Sequence, residues 1–380
     1  MRNERARSFN LSLLAQSDDG RVRRRRSQRS HTSHNSHYSH RPPNAERPAP
    51  YRKTRPALTP SPSAYDNRPR LTEVTVEVMA LGVGGMMPMP GRWLTSVVLL
   101  HEGQATLFDC GEGTQVPLKK SGFGVGRFVR FVLSHLHADH VTGVPGMLML
   151  LSQAEPGHDV EILGPPEVTR FVRGARELLR FYLNYNLKYR DLDPAGGSLK
   201  GPGFTLRFLP LNHTTPNLGF AYEEDPRAGR FHVETARRLG VPEGPLWGRL
   251  QRGETVVFDG RQVTPAAVLG PPRRGRKFAY VTDTGPCQNA IELLRGADLA
   301  VIEGMFCEEH ADEAASKLHL TARQAAAIVR DSGCTRALLG HVSPRYTHDE
   351  LHRVEDEARD VCDRLELVRP LERIAIPLPE

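Results

Sequence analysis

One short run of metal-ligand side chains constrains the fold of this chain more than any other feature. Residues 135–140 read His-Leu-His-Ala-Asp-His, after a strand-like run over 128–134 and at the start of an apolar helical pattern. Imidazole and carboxylate groups crowded at one turn are costly to bury unpaired, whereas zinc prefers such ligands. The run therefore predicts a metal site, and favours two ions because neighbouring side chains diverge.

Three further ligand-type residues each lie just past the end of another strand-like run: His213, Asp283 and His341. We expect them to converge with the 135–140 run on one rim of a sheet assembly, because the carboxyl ends of strands are where α/β folds place their sites. Together these residues supply seven ligands, enough for two ions roughly 3.5–4 Å apart, a clamp suited to hydrolysis of phosphate esters. Asp139 can both ligate an ion and orient the attacking water.

Strand-like and helical patterns alternate along the body of the chain. Strand-like runs cover 71–81, 96–101, 105–108, 128–134, 160–163, 205–211, 277–282, 299–303 and 337–340, and helical patterns cover 140–154, 166–184, 287–296 and 321–332. This order predicts an α/β body with sheets inside and helices outside. The Gly-, Pro- and Arg-rich stretch 223–276 interrupts the pattern and is predicted to be an inserted arm with one short helix over Val233–Leu239.

Residues 1–70 differ from the body in composition. They contain 16 Lys/Arg but only 5 Asp/Glu, a net charge of +11, whereas the remainder has 35 basic and 39 acidic residues, a net charge of −4. Its arginine run, His/Ser tract and prolines predict a disordered tail. An RNA-binding arm, a transit-like leader, a weak metal-binding tract and a merely solvated extension all remain open.

The sequence also indicates a cellular setting. No apolar run reaches the roughly 18 residues that a membrane span requires, and no secretory h-region is recognisable. The five cysteines are scattered without a Cys-x-x-Cys pair, which is typical of neither a disulfide framework nor a zinc ribbon. We therefore expect a reducing, cytoplasmic location and no membrane association.

The 135–140 run resembles the signature of the metallo-β-lactamase superfamily, whose fold is a four-layer αββα sandwich with a dinuclear site at one edge. Four more runs resemble the ribonuclease Z family in particular: 108–115, 269–277, 282–284 and 341–346. That family cleaves precursor tRNA on the 3′ side of the discriminator base. The resemblance spans about 72–350 and implies a hydrolase domain over 71–380, with two zinc ions per subunit and precursor tRNA as its substrate.

The resemblance implies a role for each candidate site residue. One zinc would be held by His135, His137 and His213, the other by Asp139, His140 and His341, with Asp283 as the bridge and Asp139 as the general base. His319 matches the family's histidine that precedes a helix and would protonate the leaving group. Glu303 belongs to a motif in which Ile302 has replaced a histidine, so a catalytic group is missing if that histidine acts on the leaving oxygen.

Other departures from the family lie close to the same motifs. Gly285 stands where an arginine is common, and Ala138 replaces the usual glycine of the metal loop. The loop over 82–90 is atypical because it contains Met86, Met87 and Met89. These departures bear on substrate or efficiency, since the set of ligands is complete.

The arm at about 223–276 resembles the family's exosite, which grips the tRNA elbow. The candidate substrate-binding residues are Arg237, Arg238, Gly244, Pro245, Arg249, Arg273 and Arg274. Contacts of arginines with phosphates would give salt-sensitive binding that is independent of base sequence. The resemblance further implies a homodimer in which the arm of one subunit serves the active site of the other.

Two other functions remain open. A metallo-hydrolase of small phosphodiesters or other esters is motivated by the departures at Ile302 and Gly285. A non-catalytic RNA-binding protein is opposed by the seven retained ligands, because unused ligands are expensive to keep buried.

Overall fold

The computed structural model describes residues 76–379. The predicted tail over 1–70 lies outside these residues, as does the beginning of the first predicted strand. The strands are β1 (Val76–Gly82), β2 (Ser96–His101), β3 (Gln104–Phe108), β4 (Phe128–Val132), β5 (Val160–Gly164), β6 (Leu187–Asp191), β7 (Gly197–Gly201), β8 (Phe204–Pro210), β9 (Leu218–Glu224), β10 (Val256–Phe258), β11 (Arg261–Val263), β12 (Lys277–Val281), β13 (Leu299–Glu303), β14 (Ala337–Gly340), β15 (Leu365–Leu367) and β16 (Arg373–Ile376).

The helices connect these strands. They are α1 (Gln115–Lys120), α2 (Ala138–Val141), α3 (Val144–Gln153), α4 (Val168–Leu179), α5 (Val233–Arg238), α6 (Pro245–Gln251), α7 (Gln288–Leu294), α8 (Ala311–Lys317), α9 (Ala322–Ser332) and α10 (Leu351–Arg359). None of them is long and apolar enough to cross a bilayer, within the part of the chain that the structure describes.

Fourteen of the strands form two seven-stranded sheets, in the orders β16-β1-β2-β3-β4-β5-β6 and β15-β14-β13-β12-β9-β8-β7. In the first sheet β3 to β6 pair in parallel, and in the second β12 to β15 do so. Parallel neighbours require crossover connections, which helices supply here. The carboxyl ends of both parallel halves carry the ligand-bearing loops described below.

Three apolar layers hold the sheets and helices together. In β1 the side chains of Val76 and Val78 face a core between the two sheets, where Phe108 and Tyr280 also lie. The alternate residue Leu81 faces a second core under α1, α3 and α4, and a third core lies between the other sheet and α7, α9 and α10. This is the four-layer αββα arrangement, so the predicted fold class is confirmed.

The stretch between β9 and β12 has a small core of its own. The helices α5 and α6 and the hairpin β10–β11 bury residues that include Ala236, Leu250 and Val256. Its base is closed by antiparallel bridges that join Arg227 to Arg273 and Phe231 to Leu269. The stretch, called the arm below, is therefore more regular than its composition indicated.

Candidate metal centre

The ligand-type residues of the sequence meet at the carboxyl edge of the two sheets. The 135–140 run follows β4, Asp283 follows β12, and His341 follows β14, while His213 comes three residues after β8. His135, His140, Asp283 and His341 are buried, and His137, Asp139 and His213 are partly exposed. All seven residues that the sequence nominated are thus brought to one place.

Two of these residues hold a left-handed backbone conformation. The φ angle is 47° at Asp283 and 52° at His341, and Asp109 nearby has a φ of 52°. Non-glycine residues adopt this conformation at a cost of about 1–2 kcal/mol. Such strain is concentrated at functional sites, where the surrounding structure enforces the direction of a side chain.

The carboxylate of Asp283 separates two groups of imidazoles. Its Oδ2 lies 3.6 Å from Nε2 of His135 and 3.8 Å from Nε2 of His213. Its Oδ1 lies 3.2 Å from Nε2 of both His140 and His341. Each oxygen therefore faces a different ligand group, and this one carboxylate lies between the two groups.

The remaining two ligands complete the groups. Nδ1 of His137 lies 3.2 Å from Nε2 of His213, and Oδ2 of Asp139 lies 3.6 Å from Nε2 of His140. Within each group the ligand atoms lie within 4.8 Å of one another. The groups are His135, His137, His213 and Asp283 on one side, and Asp139, His140 and His341 on the other.

Unpartnered nitrogen atoms show that these residues suit a cation. Nε2 of His135 and Nε2 of His140 are buried and have no hydrogen-bond partner among the described residues. A buried polar atom without a partner is unfavourable, and a divalent cation at each ligand group would satisfy one of these two atoms. The fold and these ligand groups together indicate a metal-dependent site.

A buried aspartate, Asp109, orients the ligands of the 135–140 run. Its Oδ2 accepts hydrogen bonds from Nδ1 of His140 at 2.8 Å, from Oγ of Ser134 at 2.7 Å and from the hydroxyl of Tyr280 at 2.7 Å. Ser134 in turn accepts from Nδ1 of His135 at 2.9 Å. These bonds keep the protons of both imidazoles on Nδ1, so that the Nε2 lone pairs face the centre.

Similar contacts orient the other ligands. Nδ1 of His341 donates to Oγ1 of Thr95 at 3.0 Å, and Nδ1 of His213 donates to the carbonyl of Leu318 at 3.2 Å. Oδ2 of Asp139 accepts the backbone N–H of Met86 at 2.7 Å. This hydrogen bond fixes Oδ2 of Asp139 and leaves Oδ1 for other contacts.

Electrostatics within the centre follow from burial. Desolvation lowers the pKa of His135 well below its ordinary value, which keeps this imidazole in the neutral form that binds cations. Burial opposes protonation of His140 as well, but Asp283 and Asp109 outweigh it and raise the pKa well above its usual value. The same negative charge that favours the protonated form of His140 also favours a cation beside this residue.

His319 and Glu303 form a buried pair beside the ligands. Nδ1 of His319 lies 3.1 Å and 3.2 Å from the two carboxylate oxygens of Glu303, which also accepts the backbone N–H of Thr284. Burial works against protonation of His319, but Glu303 outweighs it and raises the pKa to about 9. The ring of His319 lies 5.6 Å from that of His341, centroid to centroid. His319, His341 and Asp283 also lie close enough together to form a further group of possible metal ligands.

Ile302 does not occupy a catalytic position, contrary to the concern raised by the sequence. Its side chain is fully buried in the apolar core beneath the helices, together with Ala300. Successive residues of a strand point to opposite faces of the sheet, so Glu303 faces the centre and residue 302 faces the helices. The side chain at position 302 is therefore directed away from Glu303 and the metal ligands.

The arm residues lie apart from this cluster, with no hydrogen bond or ion pair to the ligands among the described residues. Several of the nominated arginines are neutralised locally: Arg237 by Glu234 and Glu243, Arg249 by Glu254, and Arg274 by Asp298. The other candidate arginines bind neutral groups: Arg238 donates to Thr235, and Arg273 donates to the carbonyl of Ala228. Gly244 and Pro245 lie at the start of α6. The arm is thus less basic than its arginine count indicates.

Sequence reasoning missed the residues that orient the ligands, which are Thr95, Asp109, Ser134 and Tyr280. Asp109 carried a usable signal, because it follows β3 just as the ligands follow their own strands. Thr95 and Tyr280 carried none, since each contacts its partner from a distant part of the chain.

Comparison with known proteins defines the class first. Residues 249–342 match the profile of a Beta-lactamase superfamily domain, and residues 76–172 match that of the Anti-Pycsar protein Apyc1. The human short-form tRNase Z structure superposes with a TM-score of 0.56 at 24% identity, covering 79% of this chain and 99% of its own. The fold is therefore that of the metallo-β-lactamase superfamily.

Sequence similarity then defines the family. The chain is 44% identical to ribonuclease Z of Treponema denticola over 76% of its own length and 94% of that relative. It is 40% identical to ribonuclease Z of Treponema pallidum, with 80% and 98% covered, and 36% identical to that of Methanosarcina acetivorans, also with 80% and 98% covered. The chain belongs to the ribonuclease Z family, and it is a hydrolase of the endoribonuclease class.

Proposed function

We propose that this protein is a zinc-dependent endoribonuclease that removes 3′ trailers from precursor tRNA by hydrolysis of one phosphodiester bond. The observation that carries the proposal is the position of Asp283 between two groups of ligands, in a chain of the ribonuclease Z family. Ligand groups that share one carboxylate suit the two-ion clamp used for phosphate-ester hydrolysis.

The proposal assigns two zinc ions to the two ligand groups. His135, His137 and His213 would hold one ion, Asp139, His140 and His341 the other, and Asp283 both. Nitrogen and carboxylate donors of this kind are those that zinc prefers. When bound, the ions would lower the pKa of water toward neutrality and offset negative charge on the phosphoryl oxygens.

Asp139 would act on the attacking water. The N–H of Met86 fixes one of its oxygens, and its side chain is 13% exposed. A fixed and partly exposed carboxylate can orient a water molecule against phosphorus and accept its proton. Asp139 is therefore the proposed general base.

His319 would act on the leaving oxygen. Because Glu303 binds Nδ1 of His319 with both carboxylate oxygens, Nε2 is the nitrogen left to donate a proton. Glu303 itself contacts no substrate in this scheme and is a positioning residue. In this proposal His319 transfers a proton and does not bind a metal ion, although it also lies close enough to Asp283 and His341 to be a ligand.

The arm would bind the body of the tRNA. Ten arginines and seven acidic residues over 223–276 give it a net charge of +3, and Arg230 and Arg261 have no carboxylate partner within 4.0 Å among the described residues. Arginine contacts with phosphates would add affinity independent of sequence. We propose that a homodimer brings the arm of one subunit to the centre of the other, and that the enzyme acts in the cytoplasm, where its five free cysteines remain thiols.

A cleavage assay tests the proposal. Purified protein loaded with zinc should shorten a precursor tRNA that carries a 3′ trailer, with the cut after the discriminator nucleotide, and Asp139→Ala should abolish the cut. Lys188→Ala, at an exposed ion pair with Asp159, serves as a matched surface control. Rapid hydrolysis of a small phosphodiester with the trailer left intact would instead establish the alternative, a hydrolase of small esters.

A further inference from the structure

The loop over residues 83–92 forms part of the rim of the metal centre. Gly85 lies so close to His341 that an added Cβ would be 2.7 Å from its Nε2. The next residue, Met86, donates its backbone N–H to Oδ2 of Asp139 at 2.7 Å. The loop therefore contacts a ligand of the centre and its proposed general base through two consecutive residues.

This loop is held in a fixed conformation. The buried side chain of Arg92 donates to the carbonyls of Tyr346 at 3.0 Å and Ser343 at 3.2 Å. Met89 and Arg92 exchange two backbone hydrogen bonds of 3.0 Å and 2.9 Å around the turn at Pro90-Gly91. The loop is thus anchored to the segment that follows His341, and residues 86–88 project from a rigid base.

The projecting side chains are apolar and exposed. Met86 is 52% exposed and Met87 is 53% exposed. Met86 also has a left-handed φ of 66°, which glycine or asparagine adopts with less strain. The backbone bond to Asp139 needs only an N–H, so it does not account for a methionine at this position.

An aromatic side chain paired with a cation directly follows the loop. The backbone carbonyl of Trp93 accepts the N–H groups of Val83 and Gly84 at 2.9 Å. The ammonium group of Lys120 lies 5.5 Å from the centroid of the Trp93 ring. Flat apolar surfaces interleaved with cations are typical of contacts with unpaired nucleotides.

We propose that Met86 and Met87 form the contact surface for the unpaired nucleobase next to the scissile phosphate. The inference rests on the proposed function, because it takes the phosphate to lie at Asp283 and Asp139. The base attached to the neighbouring sugar would then lie beside the loop that bonds to Asp139, whose exposed side chains include Met86 and Met87. Thioether groups bind the edges and faces of aromatic rings and adapt to different bases, which suits an enzyme that accepts many tRNAs.

Substitutions that preserve the backbone test the proposal. Met86→Asn tolerates the left-handed conformation and retains the N–H that binds Asp139, while the apolar surface is lost; Met87→Asn is its companion. We expect each to raise KM for the trailer-bearing RNA about three- to tenfold with kcat within twofold. Met86→Leu and Met87→Leu, which keep an apolar side chain, should have a KM near that of the wild type. Met149→Asn, at an exposed methionine on α3, should leave KM unchanged.

A second RNA makes the contact specific. The same tRNA with an abasic residue before the scissile phosphate should raise the wild-type KM by a similar factor, and the asparagine variants should add no further effect. An equal loss on both RNAs, or no loss on either, would overturn the assignment. If the wild type fails to cut the trailer, both the proposed function and the role of Met86 and Met87 are wrong. If the wild type cuts the trailer and the variants have an unchanged KM, only the role of Met86 and Met87 is wrong.

Discussion

Asp109 offers the sharpest test of how the metal centre is assembled. This side chain is fully buried and accepts four hydrogen bonds, three of them at Oδ2 and one from the backbone N–H of Ser134 at Oδ1. Asp109→Asn preserves the volume and the acceptor for Ser134 but replaces Oδ2 by an amide that donates. The hydroxyls of Ser134 and Tyr280 can rotate to accept from this amide.

His140 has no such freedom. For Nδ1 to accept from the new amide, the proton of the imidazole must move to Nε2, which is the atom that faces Asp283 at 3.2 Å. A protonated Nε2 cannot ligate a cation. Loss of a group that orients a ligand lowers metal affinity about 10- to 100-fold, which corresponds to about 1.4–2.7 kcal/mol.

The assay is the zinc content and trailer cleavage of Asp109→Asn at a series of buffered free-zinc concentrations. The midpoint of zinc occupancy should shift upward by that factor, and cleavage should recover at high zinc. Tyr280→Phe is the matched control, because it removes one donor to Oδ2 and leaves the proton of His140 on Nδ1, so its midpoint should move by less than threefold. An unchanged midpoint in Asp109→Asn would refute the reasoning about the tautomer.

Three further predictions concern the body and the arm. Ile302→His should give no gain in kcat and should lower the free energy of unfolding by about 1–3 kcal/mol, seen in urea titrations, since residue 302 lies in the apolar core; a large gain in kcat would contradict the orientation of β13. Replacement of 228–268 by a short linker should abolish tight tRNA binding in a filter assay. Hydrolysis of small phosphodiesters should be spared, because the bridge between Arg227 and Arg273 closes the base of the arm and lies outside the replaced segment. Retained tRNA binding would show that the arm is not the tRNA-binding element. Burial would raise the pKa of Glu224, but Arg276 outweighs it and lowers the pKa. The stabilisation from the ion pair of Glu224 with Arg276 is therefore complete at neutral pH and declines as the pH falls below 4.5, the ordinary pKa of glutamate. Glu224→Gln should therefore destabilise the protein more at pH 7 than at pH 4, and an equal effect at both pH values would contradict the lowered pKa.

The metal ligands could be predicted from the sequence because each one follows an apolar strand. The hydrophobic pattern indicated β4, β12 and β14, and the polar residue after each strand then had to lie at a shared edge. The bridging role of Asp283 came from the family resemblance, since no spacing in the sequence shows which oxygen faces which imidazole. The distances to His135 and His140 now support that role.

The fold was predicted in outline and missed in detail for identifiable reasons. Strands β6 and β7 escaped because they are polar and largely exposed, with sequences LKYRD and GSLKG. Strand β9 escaped because its sequence, LGFAYEE, contains a glycine and ends in two acidic residues. The second helix and the hairpin of the arm were hidden by glycines that serve as turns and caps, among them Gly244 with a φ of 120°.

The concern about Ile302 shows a limit of motif comparison. Aligned letters do not reveal which face of a strand a residue occupies, and alternation places residues 302 and 303 on opposite faces. The structure relates Glu303 to His319 and Ile302 to the helices. A departure in a motif next to an active site can therefore lie in the core.

Zinc reconstitution of the metal-free protein tests the central claim most directly. Zinc is removed with a chelator and returned in measured equivalents while bound zinc and cleavage of a trailer-bearing precursor tRNA are recorded in the same samples. The two ligand groups that share Asp283 predict no cleavage by the metal-free protein and full cleavage when close to two zinc ions are bound per chain. Full cleavage without metal, or saturation of the protein with zinc and no cleavage, would contradict the account.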